Sequence, residues 1–491
     1  FSQCQFQHSN SVYIMLDFDK YADELVGNQS LEQVVEDARD FAKSTGIILR
    51  TNEHESTLAP MTLFPSPFPR KPFEDAVAVQ DAMLELYYRI SWDREFLIEA
   101  HKDVIKTDQF TRHLVDILER VWKEGITQTK TLLIQRADYM CDVGNSAEGE
   151  LKQVEVNNIA VGMGGLGTKV CRLHRRVIRS IGQNSLEKNI PESRPVDPIA
   201  QGLHHAWKEF GNPTGVILFV IDGQNWNQFD QRTIEYAIDD LSGGTAKMTR
   251  LTLTECSERL TLTSKTLLLD SEREVSVIYF RSGYSPNAYP TEAEWNIRLD
   301  MERSTAIKCP WIGLQLANTK KVQQILSLSG MLERFLPGSS EIVKVIRKSF
   351  MGMWGLEDAG NPQIKSRIAD AIENPQNYVL KQQMEGGGGN FHGEAISEKL
   401  RTLTQEQLSA FVLMERIKPL VVQNILLRPR VKPLIARIVA ELGTFGYCYG
   451  DGSEIKKVYS SGHILRSKEE HVKDGGIAVG LSVLDSALLV Q

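Results

Sequence analysis

Residues 378–396 read YVLKQQMEGGGGNFHGEAI, and the four glycines from Gly386 to Gly389 fit neither a helix interior nor a strand interior. Glycine loses the most backbone freedom on ordering and offers no side chain to pack, so the run is a loop leaving an apolar strand. Such a loop is either a flexible surface linker or a cradle whose bare N–H groups converge on phosphate oxygens. A linker has no use for Lys381 inside the strand or for Glu385 against the run. A cradle uses both, the lysine to offset phosphate charge and the glutamate to hold the Mg²⁺ that accompanies a nucleotide.

The rest of the chain must supply the body that such a loop closes on. At 491 residues it is too long for one ordinary domain. A hydrophobic fraction of 42%, a charged fraction of 24% and a net charge of −7 give no electrostatic reason to expect nucleic acid. The longest apolar run, GVILFVI at 215–221, is far shorter than a membrane span and reads as a buried strand. The six cysteines form no CxxC pair, so neither a zinc site, a redox motif nor a disulfide framework is indicated. The sequence starts at Phe1 rather than methionine, as in an expressed fragment or a mature form that has lost its signal peptide.

Along the chain, SLEQVVEDARDFAKSTG carries a serine cap and helical spacing, and amphipathic helices are expected around 76–90 and 108–124. The proline-rich 59–73 is expected to be a loop. Strands are predicted at 129–142 and 151–161, the first delivering Arg136, Asp138 and Tyr139 to its end. The alternation of strand 215–221, a helix from near Asp230, and strand EVSVIYF ending at Arg281 predicts an α/β unit over 206–318. Beyond it the sequence turns β-rich: 413–417, 436–450, a GDGS turn, IKKVYSSGHILRSK, and a second glycine loop in KDGGIAVGLSV.

Several constellations carry chemistry. No G-x-x-x-x-G-K-[ST], HRD or DFG occurs, which excludes P-loop and protein-kinase patterns. Gly162, Gly164 and Gly167 in GMGGLG match a dinucleotide fingerprint, with Glu187 about twenty residues on. The preceding strand counts against it: Glu155 and Asn157 sit two apart, share a face and suit magnesium, whereas a dinucleotide strand is apolar there. Arg466 and Lys468 also share a strand face and form either an anion site or an exposed basic edge. Arg281 and Tyr284 end a buried strand, where a guanidinium can grip a carboxylate. RLHRRVIRS reads as a solvated helix face.

Taken in order, IQRADYM, LKQVEVNNI, FDQRTIEY, YFRSGY, LANTKKVQQ, VLKQQMEGGGGN, LMERI, ELGTFG and ILRSK…KDGGIAVG resemble the eukaryotic-type glutathione synthetases from about residue 30 to the end. The resemblance implies an α/β (α+β) ATP-grasp fold with a helical N-terminal region and an inserted smaller α/β substrate domain. Its divisions are an extension over 1–29, a body over 30–205, the insert over 206–318, and an ATP-grasp part over 319–491. That last part carries a glycine-rich lid at about 382–394 and a second glycine loop at about 473–480. The resemblance further implies a homodimer that uses ATP and Mg²⁺ to phosphorylate the cysteinyl carboxylate of γ-glutamylcysteine, which the amine of glycine then attacks. By carry-over Glu155, Asn157 and Glu385 hold the metal, and Arg466, Lys381 and Arg136 are catalytic. ATP meets Glu155, Lys320, Lys381, Glu385, Gly386, Gly387, Gly388, Gly389, Asn390 and His392. It also meets Met414, Glu415, Arg416, Ile417, Glu441, Lys468 and Asp474. The peptide substrate meets Arg136, Ala160, Gly162, Asn225, Asn227, Gln231, Arg281, Ser282, Gly283, Tyr284, Arg466, Ile477 and Ala478.

The departures fall on the acceptor side. Ala160 and Gly162 stand where the family usually has two serines, and Asn225 where a glutamate usually meets the γ-glutamyl ammonium. The usual Arg-Asp-Gly-Tyr is here Arg281-Ser282-Gly283-Tyr284, and an Asn-Asn-Leu-Tyr is Gly389-Asn390-Phe391-His392. Either a working synthetase has a repacked pocket, or a divergent paralogue keeps the ATP chemistry with another γ-glutamyl peptide or amine. The chain is similar in this respect to the glutathione-synthetase-like effectors that plant-parasitic nematodes secrete. The family resemblance points to the cytoplasm, a processed signal to secretion. A non-enzymatic binding protein on a retained scaffold is the alternative from another class, and the intact magnesium and phosphate residues speak against it.

Overall fold

The computed structural model describes residues 30–491 apart from Glu53, Asn145, Ala147, Ala359, 384–388, Asp474, Ala478 and Val479. The extension at 1–29 and the expectations for Glu385, Gly386, Gly387, Gly388, Asp474 and Ala478 therefore lie outside the described residues.

Alternation along two long strands builds the frame. Leu434–Asp451 and Glu454–Glu469 form an antiparallel hairpin, and Lys130–Asp142 pairs with its first strand in a register that sets Asp138 opposite Gly443. With Glu150–Asn157 outside it, and with Ser482–Asp485, Met61–Thr62 and Val421–Leu427 on the far side, they make a seven-stranded sheet. Val421–Leu427 also pairs back onto the hairpin, closing that end on itself.

Successive side chains point to opposite faces, so each strand feeds two cores. Leu132 and Ile134 enter one, with Tyr447 and the helices Gly164–Ser180 and Val196–Phe210. Leu133, Ala137 and Tyr139 enter the other, with the N-terminal helices Arg70–Ser91, Arg94–His101 and Gln109–Glu124. Arg136 and Asp138 continue the first face beyond its apolar part.

Two smaller sheets flank this frame. One is built on parallel strands Lys247–Leu251, Val216–Val220, Arg273–Phe280 and Ile307–Cys309, and it spans the expected insert. Ile217 and Phe219 pack into the first core of the body, while Leu218 and Val220 face a core of the insert's own. The other is antiparallel, in the order Met353–Gly355, Phe411–Glu415, Tyr378–Gln382, Asn390–His392.

Some expectations need correction. The 59–73 stretch is not all loop: Met61–Thr62 joins the large sheet and Ser66–Pro69 pairs with Ala487–Val490 in a two-stranded ribbon, where an edge position tolerates proline. The helix expected from 76 starts at Arg70, because Pro72 falls in a first turn whose N–H groups have no intrahelical partner. The strand expected over 151–161 stops at Asn157, since Ala160 and Met163 adopt left-handed backbone conformations at φ 54° and 70°. The LMERI strand is Phe411–Glu415, leaving Arg416 and Ile417 just past its end. RLHRRVIRS is not merely solvated. His174 is fully buried between Ser486 Oγ and the Thr62 carbonyl, and Arg176 pairs with Asp37. Cys141, Cys171, Cys256, Cys309 and Cys448 are buried free thiols.

Candidate functional site

A cavity of about 720 Å³ opens where the three sheets meet. One wall is the polar end of the seven-stranded sheet, from Arg136, Glu155 and Asn157 to Glu441, Arg466 and Lys468. The four-stranded sheet faces it with Lys381, Asn390, His392, Met414, Glu415, Arg416 and Ile417, and the parallel sheet closes the end with Asn225, Asn227, Arg281 and Tyr284. Ala160, Gly162, Asp222 and Ile477 are among the further lining residues.

Asp138 organises the first wall. It is fully buried and accepts from Arg136 Nε at 2.7 Å and NH2 at 2.8 Å, from Asn157 Nδ2 at 2.8 Å and from Arg466 NH2 at 2.7 Å. Glycine at 443 makes this packing fit, because a Cβ there would lie 2.8 Å from both Arg136 Cδ and Asp138 Oδ1. Arg466 also donates to Glu441. Burial and the charges of Asp138 and Glu155 push the Glu441 carboxyl up, against the opposing pull of Arg466 and Arg136.

Glu155 takes a 2.8 Å bond from Lys320 Nζ. Burial would raise its pKa, yet the charges of Lys320 and Lys381, the Lys320 bond and Arg466 overcome this and hold it at about 2. Lys381 is buried and reaches from the four-stranded sheet to the Val154 carbonyl at 2.9 Å, tying the two walls together. Beside it Met140 and Val154 pack near Met353, Met414 and Ile417. The result is an apolar slot between sheets next to a row of cations, which suits a flat base with a phosphate tail.

Asn157 fits a metal role in its detail: its amide nitrogen donates inward to Asp138, leaving Oδ1 without a hydrogen-bond donor among the described residues beside an ionised Glu155. Oxygen donors of this kind suit Mg²⁺. Among the described residues no three His, Cys, Asp or Glu side chains gather to hold an ion, and the third expected ligand, Glu385, is outside them.

The acceptor end is built differently. Arg281 is 4% exposed, yet its Nε and NH1 have no hydrogen-bond partner among the described residues. Gly162 lets it lie close, since a Cβ there would be 3.0 Å from NH2. Asn225 and Gln231 exchange two 2.9 Å amide bonds, and Gln231 also holds Asn227 at 2.8 Å and accepts from Arg250. Gln231, Ser282, Gly283, Lys320 and Gly389 are not among the described residues that line the cavity. Gln231 braces the asparagines, the Gly283 carbonyl accepts from Gln315, and Lys320 backs Glu155.

The glycine fingerprint at 162–167 is a packing device. The first turn of its helix is capped by fully buried Asp230, which accepts from the N–H groups of Met163, Gly165 and Leu166, so the place of a pyrophosphate is filled by a carboxylate. A Cβ on Gly165 would lie 2.7 Å from Thr233. Asp138 was expected at the end of its strand but not as the shared acceptor of two arginines, and Gly443 and Asp230 were not expected to shape the site. The one sequence signal for Asp138 is its i, i+2 spacing from Arg136 on a strand.

A family model described as eukaryotic glutathione synthase, ATP binding domain, matches residues 28–489. Glutathione synthetase of Mus musculus is 38% identical over 468 residues, covering 94% of this chain and 98% of its own length. The chloroplastic glutathione synthetase of Arabidopsis thaliana is 32% identical over 490 residues, 97% of this chain and 88% of that one. Among solved structures, a glutathione synthetase-like effector from Globodera pallida in its apo form matches with a TM-score of 0.75 and 32% identity, over 93% of this chain and 96% of that chain.

Proposed function

The chain belongs to the eukaryotic glutathione synthase family, and on that premise we propose that it is an ATP-dependent ligase joining a γ-glutamyl thiol peptide, γ-glutamylcysteine or a close relative, to glycine or another amine. The observation that carries this reading is one cavity holding an apolar slot, a row of phosphate-seeking cations and a buried guanidinium with unpartnered nitrogens.

A carboxylate is a poor electrophile. In the proposed reaction its oxygen bonds to the γ-phosphorus of ATP as the bond to ADP breaks, and the acyl phosphate formed is then attacked by the amine, releasing phosphate and a proton. Arg466 and Arg136, both anchored on Asp138, stand ready to offset the charge that builds up on the transferring group. Lys381 and Lys468 hold phosphate oxygens, and Met414 to Ile417 flank the base. Glu155 and Asn157, joined by Glu385, would hold Mg²⁺, which when bound neutralises phosphate oxygens. Arg281 grips the α-carboxylate of the γ-glutamyl head, and excluding water from the acyl phosphate keeps it for the amine.

The fold in this reading is ATP-grasp with 206–318 as the substrate insert, and the active form is a homodimer. Asn225, Ser282, Ala160 and Gly162 tune which peptide and amine are accepted. The test is Mg²⁺-dependent phosphate release from ATP with γ-glutamylcysteine and glycine, run beside other γ-glutamyl dipeptides and amines, with products identified by mass. A ligated γ-glutamyl product supports the proposal, and phosphate release that no acyl or amine substrate stimulates overturns it.

A further inference from the structure

The head of a γ-glutamyl group is an α-amino acid, carrying an ammonium beside its carboxylate. Arg281 answers the carboxylate. The ammonium needs an anion within a few ångströms of that guanidinium, and the acids around this end of the cavity are mostly spent. Asp230 caps a helix, and Glu235 is held by Arg232 at 2.5 Å and by Arg250. Asn225 is neutral and locked in its amide exchange with Gln231.

Asp222 is different. It follows the Val216–Val220 strand, lines the cavity and is exposed. One of its oxygens, Oδ1, accepts from Ser282 Oγ, and among the described residues Oδ2 has no hydrogen bond or ion pair. Ser282 follows Arg281 at the end of the neighbouring parallel strand, where Phe280 sits in register with Val220 and the N–H groups of both Arg281 and Ser282 donate to the Val220 carbonyl. Adjacent strands lie roughly 4.8 Å apart, so groups leaving these two ends can reach one amino-acid head. Burial raises the Tyr284 phenol, with Asp222 adding to the rise and Arg281 opposing it, so both charges flank the same ring hydroxyl.

Resting on the ligase reading above, we propose that Asp222 selects the acyl substrate by receiving its α-ammonium while Arg281 holds the carboxylate. Ser282 is the positioning residue, fixing Asp222 through its hydroxyl. The pocket thus meets a zwitterionic head with a guanidinium and a carboxylate from adjacent strand ends, and an acyl donor lacking the ammonium leaves Asp222 unanswered.

The test compares γ-glutamylcysteine with glutarylcysteine, which lacks only the ammonium, in the full chain with Mg–ATP. Asp222→Asn is expected to raise KM for γ-glutamylcysteine by roughly ten- to a hundred-fold with kcat little changed. KM for glutarylcysteine should stay within about two-fold, because a lost ammonium contact cannot matter where there is no ammonium. Ser282→Ala should shift selectivity the same way by less. An equal change for both substrates, or none for γ-glutamylcysteine, overturns the role of Asp222. Failure of the unaltered chain to ligate any γ-glutamyl peptide overturns the ligase reading instead. The selectivity is then read as affinity by titrating the two compounds against the chain with Mg²⁺ and a non-hydrolysable ATP analogue, where equal affinities would overturn the inference.

Discussion

The two ends of the cavity solve opposite problems. At the end lined by the large sheet the charges answer one another: Glu155 pairs with Lys320, and Arg136, Asn157 and Arg466 converge on Asp138. At the end lined by the parallel sheet a buried guanidinium keeps two nitrogens, and Asp222 one oxygen, without partners among the described residues. A buried ion network is costly to break, because removing one member strands the others away from water. An unanswered group has already met that cost, and a ligand repays it. The nucleotide end should therefore couple function to stability, while the acceptor end can change its ligand with little effect on the fold.

The largest expected effect is at Asp138. Asp138→Asn should cost about 3–5 kcal/mol in urea unfolding and abolish ATP turnover, since two guanidiniums lose their common carboxylate. A loss below about 1 kcal/mol would break the contrast. Arg281→Met should lower kcat/KM for the acyl substrate on the order of a hundred-fold while the urea midpoint holds or rises, because a poorly satisfied buried cation is removed. Marked destabilisation would show that Arg281 is structural.

Acid sharpens the comparison. The folded pKa of Glu155, about 2, lies below its ordinary 4.5. Its ionised form therefore stabilises the fold above about pH 4.5, and this is lost as pH falls toward 2. Glu155→Gln should flatten that limb when midpoints are compared with the parent, and identical limbs would contradict the pairing. The smallest effect is expected at Gly162. Gly162→Ser should nudge the Arg281 guanidinium, change KM by a few-fold and leave stability within about 0.5 kcal/mol.

Much of this was legible in residue order. The hairpin of 434–469, the strand of 130–142 and the parallel strands of the insert follow from runs of apolar and alternating residues. The shared faces of Glu155 with Asn157 and of Arg466 with Lys468 follow from period two, and all four side chains line the cavity. The glycine fingerprint was discounted on the polar strand before it, but spacing alone does not tell a phosphate turn from a close helix crossing. Only the arrival of Asp230 from sixty-odd residues further on fills that helix end.

Sequence by itself determined the strands, the faces their polar residues share and the family to which they belong, since these depend on local periodicity and motif order. Tertiary structure alone decided that Asp138 is the hub of the large sheet's polar wall, that Gly443 makes room for it, that Asn225 is locked to Gln231, and that Asp222 is held through one oxygen by Ser282, next to Arg281. A charge acquires its role from the partners that reach it, and those partners arrive both from neighbouring residues and, as with Arg466 at Asp138, from strands more than three hundred residues away, joined by sheet register rather than by sequence.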